Sequence, residues 1–398
     1  MANLRKLVFL KVIILSMLLL VGCAGIGHAP TASVASDVLR PAVPENVHNV
    51  ALLLPLSGNL ADSSMAIRNG FLAAYYSQTA TQPGVKVKVV NSDGKNIVDV
   101  YKDAVAMGAD VVVGPLTKAE VGALASVGTP LQVPVLALNT LDDYQSHQVA
   151  NLYQFGLLPQ DEARQAALKM LQSGHRKIAT IAPDTAWGHG IINALQNEIA
   201  RLGGQVVATF TYNVGESDLD LKIRGFLDVN NSDLKQQDSQ NRQINYRNDI
   251  DAIFLVAEPK VARQIAPLLK FYTNGSMPLY ATSSIYSGFV QSALDQDLDD
   301  VMFCDAPLVI TNQADLDVNL QGIRNKLGTL WPDSMKNNTR LYALGIDAYN
   351  LALNLNKFVT TKHASFAGAT GELNLDNYNH VSRQLRWTSF RDGIPQGL

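Results

Sequence analysis

The sequence predicts an α/β protein with two lobes, each built on a doubly wound, mainly parallel sheet. Short, continuous apolar runs such as Ala51-Leu52-Leu53-Leu54 are typical of strands that helices cover on both faces. Amphipathic helical segments separate these runs, so the chain alternates between strand and helix. Ten strands are predicted before residue 305. Because that is about twice what one small sheet needs, two lobes are favoured over a single sheet.

The predicted strands form two series along the chain. The first comprises residues 49–54, 85–91, 110–113, 133–138 and 152–155, and the second comprises 177–181, 205–211, 251–256, 278–282 and 301–304. The helix predicted over residues 189–202 illustrates the connections. Its residues Ile192, Leu195, Ile199 and Leu202 lie on one helical face, and Gly203 with the following glycine ends it. This rhythm predicts right-handed crossovers within each sheet.

The pattern of charged and apolar residues over 1–22 predicts a signal peptide for export. Three cations, Arg5, Lys6 and Lys11, precede an apolar run over residues 12–20, which is too short to span a bilayer. The segment ends in Leu-Val-Gly before Cys23 and resembles the bacterial lipobox. That resemblance implies an acylated Cys23 at the mature N-terminus, and Ala24 resembles an outer-membrane sorting residue. We therefore expect a lipid anchor in the outer membrane, with the chain facing the periplasm.

A flexible tether is predicted over residues 23–46, which are rich in Ala, Pro, Ser and Val and lack periodicity. The formal net charge is −3, and it becomes −6 when the three cations of residues 1–22 are removed. Such a mildly acidic chain argues against a nucleic-acid partner, which needs a concentrated basic face. If Cys23 is acylated, Cys304 has no disulfide partner in the chain, and its apolar surroundings predict a buried, inert thiol.

A candidate interlobe cleft is predicted where the strands end. Parallel sheets bind ligands at the carboxyl ends of their strands, because the loops there open onto a crevice. The residues at those ends are Ser57, Gly58, Gly114, Pro115, Thr117, Lys118, Asn139, Thr140, Asp184, Trp187, Ser283, Ser284 and Tyr286. For any one of these positions an ordinary helix N-cap is the favoured interpretation. For the set facing a common cleft, a ligand site is the alternative.

The sequence predicts no catalytic residue, metal site or cofactor. Its seven histidines are scattered, and it contains neither a nucleophile elbow nor a phosphate-binding P-loop. Gly188-His189-Gly190 opens a helix after a strand, but Asn193 stands where the dinucleotide fingerprint needs its third glycine. A polar stretch over residues 229–249 breaks the strand-helix rhythm and is interpreted as a solvated surface loop, with partner docking as the alternative.

Several segments resemble the LpoA-like family of penicillin-binding protein activator lipoproteins. The resemblance runs from about residue 48 to residue 390 and corresponds to the C-terminal domain of that family. The segments that match are residues 49–58, 66–76, 112–118, 133–139, 159–167, 340–349 and 368–373. Gly-Pro-Leu-Thr-Lys at residues 114–118, together with Arg-Leu-Tyr-Ala at residues 340–343, is the most specific combination.

This resemblance implies a type I periplasmic-binding-protein-like fold and a role in binding, with no enzyme activity. The implied partner is a class A penicillin-binding protein, which is a bifunctional peptidoglycan synthase. Residues 47–156 and 306–360 are expected in lobe 1, and residues 157–305 and 361–398 in lobe 2. In the familiar form of the family a helical, repeat-like domain precedes this region, whereas here the tether is expected to precede it.

The alternative function is that of a solute-binding lipoprotein of an ABC transporter for amino acids or amides. It has the same expected fold, so only the site separates the two functions. The candidate cleft offers no obvious Arg and Asp pair to neutralise a zwitterion, although Lys118 is placed to meet a carboxylate.

Overall fold

The computed structural model describes most of the chain after residue 42. The described residues are 43–78, 84–142, 145, 148–230, 244–361 and 363–398. The predicted signal peptide, Cys23 and most of the predicted tether therefore lie outside the described residues, as do residues 231–243 of the polar stretch.

All ten predicted strands form, each within two residues of its predicted bounds. They are β1 Asn49–Leu54, β2 Lys86–Asn91, β3 Val111–Val113, β4 Val135–Ala137, β5 Leu152–Phe155, β6 Lys177–Pro183, β7 Gln205–Tyr212, β8 Ala252–Leu255, β9 Leu279–Ala281 and β10 Met302–Asp305. The first five pair in parallel in the order β2-β1-β3-β4-β5, and the second five in the order β7-β6-β8-β9-β10. Two sheets confirm the prediction of two lobes.

Five further strands follow near the C-terminus, where none was predicted. They are β11 Ser365–Ala367, β12 Glu372–Leu375, β13 His380–Gln384, β14 Arg386–Arg391 and β15 Ile394–Gly397. The first three extend the first sheet, in which β13 lies parallel to β5 and β12 and β11 follow in antiparallel pairing. The last two extend the second sheet beyond β10 in antiparallel pairing. Both sheets are therefore mixed.

The C-terminal strands correct the predicted lobe boundary. The prediction assigned all of residues 361–398 to lobe 2, but β11, β12 and β13 belong to the sheet of lobe 1 because β13 pairs along β5. The chain thus crosses between the lobes for the third time at Leu385, between β13 and β14, and not at residue 361. The other two crossings lie between Phe155 and Pro159 and between Asp305 and Pro307.

Helices connect and cover these sheets. In the described residues they are α1 Ala61–Gln78, α2 Ile97–Ala106, α3 Lys118–Ala125, α4 Pro159–Gln172, α5 Ala186–Arg201, α6 Leu219–Phe226, α7 Pro259–Tyr272, α8 Ser292–Asp295, α9 Pro307–Ile310, α10 Val318–Leu330 and α11 Pro332–Thr360. Short 3-10 turns occur at Gly58–Leu60, Ser283–Ile285, Gln296–Leu298 and Gln313–Asp315. The long helix α11 is interrupted by a non-helical residue, Asn338. None of these described helices combines the length and apolar character that crossing a membrane requires.

Helices α1 and α11 of lobe 1 pack in close contact because glycines line their crossing. A β-carbon on Gly70 would overlap the Tyr342 carbonyl oxygen, and one on Gly345 would overlap the Ile67 carbonyl oxygen. The two backbones therefore approach more closely than any larger residue would permit. The close crossing holds α11 against the core of lobe 1. Arg340, in the N-terminal half of α11, contacts Asp305 of lobe 2.

The residues predicted on the apolar face of α5 are buried except Leu202, which is the partly buried C-cap of this helix. In α5, Ile192, Leu195 and Ile199 are buried, and Gly203 ends the segment with a positive φ of 82°. Cys304 is completely buried, which raises the pKa of its thiol, so the prediction of a buried cysteine is confirmed. Val43, which the prediction placed in the tether, packs against the core of lobe 1.

Candidate functional site

The cleft candidates that follow β1, Ser57 and Gly58, lie against the end of β2 within lobe 1. The Ser57 hydroxyl donates to the Asp93 carboxylate at 2.6 Å and accepts from the Asn91 amide at 3.1 Å. Gly58 has a φ of 71°, and a β-carbon there would lie 3.2 Å from the same Asp93 carboxylate. These hydrogen bonds hold the loop after β1 against the end of β2.

The candidates that follow β3 and β4 are also engaged in local structure. Thr117 is the N-cap of α3 and forms a complete capping box with Glu120, so the interpretation as a cap is correct at this position. Lys118 forms an ion pair with the carboxylate of Asp142. Gly114 has a φ of 102° and precedes Pro115 through a cis peptide bond, and a β-carbon on Gly114 would overlap the Leu53 carbonyl oxygen.

The loop after β4 closes onto the loop after β3. The Asn139 side-chain amide donates to the Leu116 carbonyl at 2.9 Å, and its side-chain oxygen accepts from the Thr140 backbone at 2.9 Å. Thr140 is completely buried. The structure therefore brings Gly114, Thr117 and Asn139 together in one layer of interlocked loops.

In lobe 2, the candidates after β6 lie on an exposed helix N-terminus. Asp184 faces His189 at 3.1 Å, and the side chains of both residues are half exposed. The actual cap of α5 is Thr185, whose hydroxyl accepts from the Gly188 backbone at 3.1 Å. Trp187 is 39% exposed.

Of the candidates after β9, Ser283 and Tyr286 are buried and Ser284 is partly buried, and each contacts a residue from a distant part of the chain. The backbone and hydroxyl of Ser283 donate to the two oxygens of Glu162 at 2.8 and 3.0 Å. The Ser284 hydroxyl contacts Thr282 at 2.6 Å and donates to the Ala257 carbonyl. Tyr286 is buried, and its backbone carbonyl accepts from Arg340 at 3.1 Å.

A cluster of charges lies between the lobes, and we call Glu162, Asp305, Arg340 and Arg383 the interlobe ion cluster; Arg340 is 27% exposed and the other three are buried. Arg340, on α11 of lobe 1, donates from Nε to one oxygen of Asp305 at 2.9 Å and from Nη2 to the other. The same Nη2 donates to the Ser283 carbonyl at 2.9 Å. Asp305 and Ser283 belong to lobe 2, so one guanidinium joins the two lobes.

Burial raises the pKa of two carboxyl groups in and beside this cluster, those of Glu162 and Asp347. Glu162 is completely desolvated, which raises its pKa to about 7, while the nearby Arg383 opposes that shift and Asp305 adds to it. Asp347, on α11, has a pKa raised to about 6 by burial, although the backbone and hydroxyl of Thr370 donate to it. Both groups therefore titrate close to neutral pH.

A second polar connection reinforces the crossing at Leu385. Gln165 of α4, in lobe 2, donates to the Arg383 carbonyl at 2.9 Å and accepts from the Leu385 backbone at 2.8 Å. One side chain thus satisfies both a carbonyl and an N–H of the connecting strand. Together with the ion cluster it defines the relative position of the lobes.

A groove of about 720 Å³ lies beside the cluster, and we call it the interlobe groove. Lobe 2 contributes Tyr286, the loop over residues 288–290 and the start of β15 at residues 394–395. Lobe 1 contributes residues of α10 and α11, including Arg324 and Lys336. Of the cleft candidates predicted from the sequence, Tyr286 lines this groove.

Sequence reasoning missed Glu162, Asp305, Arg340 and Arg383. Charged residues are almost never buried unless they are paired, so their pattern gave no local sign of burial. The one available signal was that Arg340 and Glu162 fall inside segments that carried the family resemblance. The Arg340–Asp305 ion pair and the hydrogen bonds from Ser283 to Glu162 are suited to holding a conformation, and two side-chain nitrogens of Arg383 are buried without a hydrogen-bond partner in the described part of the chain. Among the described residues, no three His, Cys, Asp or Glu side chains come together as a metal site would require.

Comparison with known proteins identifies the relatives of the chain. A family model described as "LppC putative lipoprotein" matches residues 39–393. The penicillin-binding protein activator LpoA of Photobacterium profundum is 28% identical over 361 residues, which cover 87% of this chain and 56% of that protein. This chain therefore spans somewhat more than half the length of that curated relative.

Solved structures show the same fold. The C-domain of LpoA from Haemophilus influenzae, described as a regulator of PBP1A, matches with a TM-score of 0.69 and 24% identity, covering 88% of this chain and 99% of that one. A protein from Rhodospirillum rubrum described as a "putative branched-chain amino acid ABC transporter" matches with a TM-score of 0.68 and 18% identity, covering 88% and 100%. The predicted type I periplasmic-binding-protein-like fold is confirmed.

Proposed function

The chain belongs to the LppC lipoprotein family, and on that premise we propose that it binds and activates a class A penicillin-binding protein. The observation that carries the proposal is the family match over residues 39–393, together with curated relatives named penicillin-binding protein activator. We further propose a non-catalytic role for the chain. It is anchored in the outer membrane through acylated Cys23, and its two-lobed part faces the periplasm.

The geometry supports a mechanism based on differential affinity. A partner that is bound better in its active form becomes more active, because binding shifts its population toward that form. Arg340 and Gln165 connect the two lobes, so the surface that the two lobes form together is preorganised for the partner. A preorganised surface loses little conformational entropy on binding, which favours recognition of one state of the partner.

Solute transport is less well supported by the same geometry. The candidate cleft residues Ser57, Thr117, Lys118 and Ser283 all have partners within the chain. A solute would have to replace those hydrogen bonds and ion pairs. The resemblance to ABC transporter proteins at 18% identity is a resemblance of fold.

Addition of the purified full-length chain, in detergent, to the cognate class A synthase tests the proposed activation. We expect both faster glycan polymerisation or cross-linking and direct binding measured by surface plasmon resonance. Unchanged rates together with no measurable binding would reject the proposal.

The anchor is tested separately. Mass spectrometry of the mature protein is expected to find acyl chains on Cys23, and the Cys23→Ser variant is expected to leave the outer-membrane fraction. A wild-type mature protein that carries no acyl chain would contradict this part of the proposal.

A further inference from the structure

The interlobe groove has an unusual charge balance. Arg324 and Lys336 line it, and none of its described lining residues is Asp or Glu. Arg324 Nη1 donates to the Thr311 carbonyl at 2.8 Å, and within the described chain this arginine forms no ion pair. Its partial burial lowers its pKa, as expected for a cation that lacks a neighbouring carboxylate. The groove is therefore prepared for an anionic group.

The rest of the groove is apolar and continues onto the surface. Phe289 and Met335 line it, and at its edges Val290 is 54% exposed and Ile394 is 40% exposed. Trp331, which is 38% exposed, directly precedes the lining residue Pro332. An exposed apolar surface around a cavity is typical of an interaction site. Because the apolar surface extends past the cavity, it suits an extended chain better than a compact small molecule.

We propose that the interlobe groove docks an extended segment of the synthase that carries an acidic side chain between apolar ones. Arg324 and Lys336 pair with the acidic group, while Phe289, Met335 and Val290 contact the apolar residues. Since both lobes line the groove, an occupant that binds one arrangement of the lobes more tightly shifts the population toward that arrangement. This inference rests on the proposed function and assigns to it a surface and a recognition chemistry.

The chain offers a matched pair of charge reversals to test this assignment. Lys336 lies 3.9 Å from Asp333, three residues earlier on a helix, and Lys102 lies 3.9 Å from Asp99 in the same arrangement on α2. Their side chains are 58% and 67% exposed. We expect Lys336→Glu to weaken binding of the full-length chain to the synthase by about tenfold, and Lys102→Glu to leave it unchanged.

Photo-crosslinking provides a second, direct readout. A benzophenone amino acid at Val290 is expected to give a covalent adduct with the synthase, whereas the same residue at Val214, which is 76% exposed in lobe 2, is not. Circular dichroism verifies that each variant is folded. The adduct is mapped by mass spectrometry, and a synthase peptide without an acidic residue would contradict the recognition chemistry.

The possible outcomes separate this inference from the proposed function. If the wild-type chain does not bind the synthase, both proposals are rejected. If the wild type binds and Lys336→Glu binds equally well, the function stands and the groove assignment is overturned. If Val290 crosslinks only to a second copy of this chain, or to another segment of the same chain, the proposed occupant is also wrong. Tenfold weakening with crosslinking to the synthase supports the assignment.

Discussion

Replacement of Arg340 by Met tests whether the interlobe ion cluster holds the lobes together. Methionine retains most of the length of the arginine side chain but removes its charge and all its donors. The change removes the hydrogen bonds to Asp305, Ser283 and Tyr286. Among the described residues, Asp305, whose side chain is 2% exposed, then keeps only the backbone donor of Ala306.

The expected loss is large because a charge remains buried without its partner. Removal of one member of a buried ion pair typically costs about 3–5 kcal/mol. Unfolding of the roughly 330 described residues carries an entropy of about 0.7 kcal/mol/K near the midpoint. The midpoint of thermal unfolding is therefore expected to fall by about 4–7 °C.

Thermal unfolding followed by circular dichroism at pH 7 measures this shift. The control is Arg201→Met, since Arg201 pairs with Glu198 on the surface and its side chain is 67% exposed. A surface pair of this kind contributes about 0–1 kcal/mol, so the control is expected to move the midpoint by about 1 °C or less. Replacing Asp305 by Asn in the Arg340→Met background is expected to recover part of the loss, because it removes the orphaned charge.

Two results would refute this reasoning. The first is an Arg340→Met midpoint that differs no more from the wild type than the Arg201→Met midpoint does. The second is an Asp305→Asn double variant that is less stable than Arg340→Met alone. The first result would mean that the Arg340–Asp305 pair contributes little to the stability of the folded chain, and the second that the loss does not come from an unpaired Asp305 charge.

Three further perturbations test other parts of the structure. Since burial raises the pKa of Glu162 to about 7, the folded state binds its proton more tightly than the unfolded state, and this group makes stability fall as pH rises from about 4.5 to 7. Glu162→Gln is expected to reduce that slope in midpoints measured across the range, and an unchanged slope would exclude Glu162 as its source. Gly345→Ala places a methyl group against the Ile67 carbonyl and is expected to destabilise the chain by about 1–3 kcal/mol in urea unfolding, whereas Gly322→Ala, with open space around it, is expected to stabilise by about 0.5–1 kcal/mol. Equal effects of the two alanines would contradict the proposed close helix crossing. Thr117→Ala removes the capping box of α3 and is expected to cost about 1 kcal/mol in the same assay, a loss that an unaltered midpoint would disprove.

The residues at the strand ends show which contacts of the candidate site can be predicted from the neighbouring sequence. Thr117 was interpreted as a helix cap, and the structure confirms it. A cap can be predicted locally because the Thr and Glu of a capping box are three residues apart in the sequence. Ser283 was identified as a strand-end residue, but its partner Glu162 lies 121 residues away. No pattern around either residue indicates that contact, since both lie in lobe 2 and meet only when α4 packs beside the loop after β9.

The sequence by itself determined the ten parallel strands, because a strand covered on both faces must be continuously apolar over a few residues. It did not reveal β11 to β15, which are partly exposed and rich in polar residues. The turn at Asp392 and Gly393, both with positive φ, was the one hairpin signal available there. Only the tertiary structure decided that β13 joins lobe 1 while β14 joins lobe 2, and that Arg340 meets Asp305 between them. Strand formation follows from the burial of neighbouring residues, whereas these pairings join residues that are distant along the chain and become neighbours only after both sheets have formed.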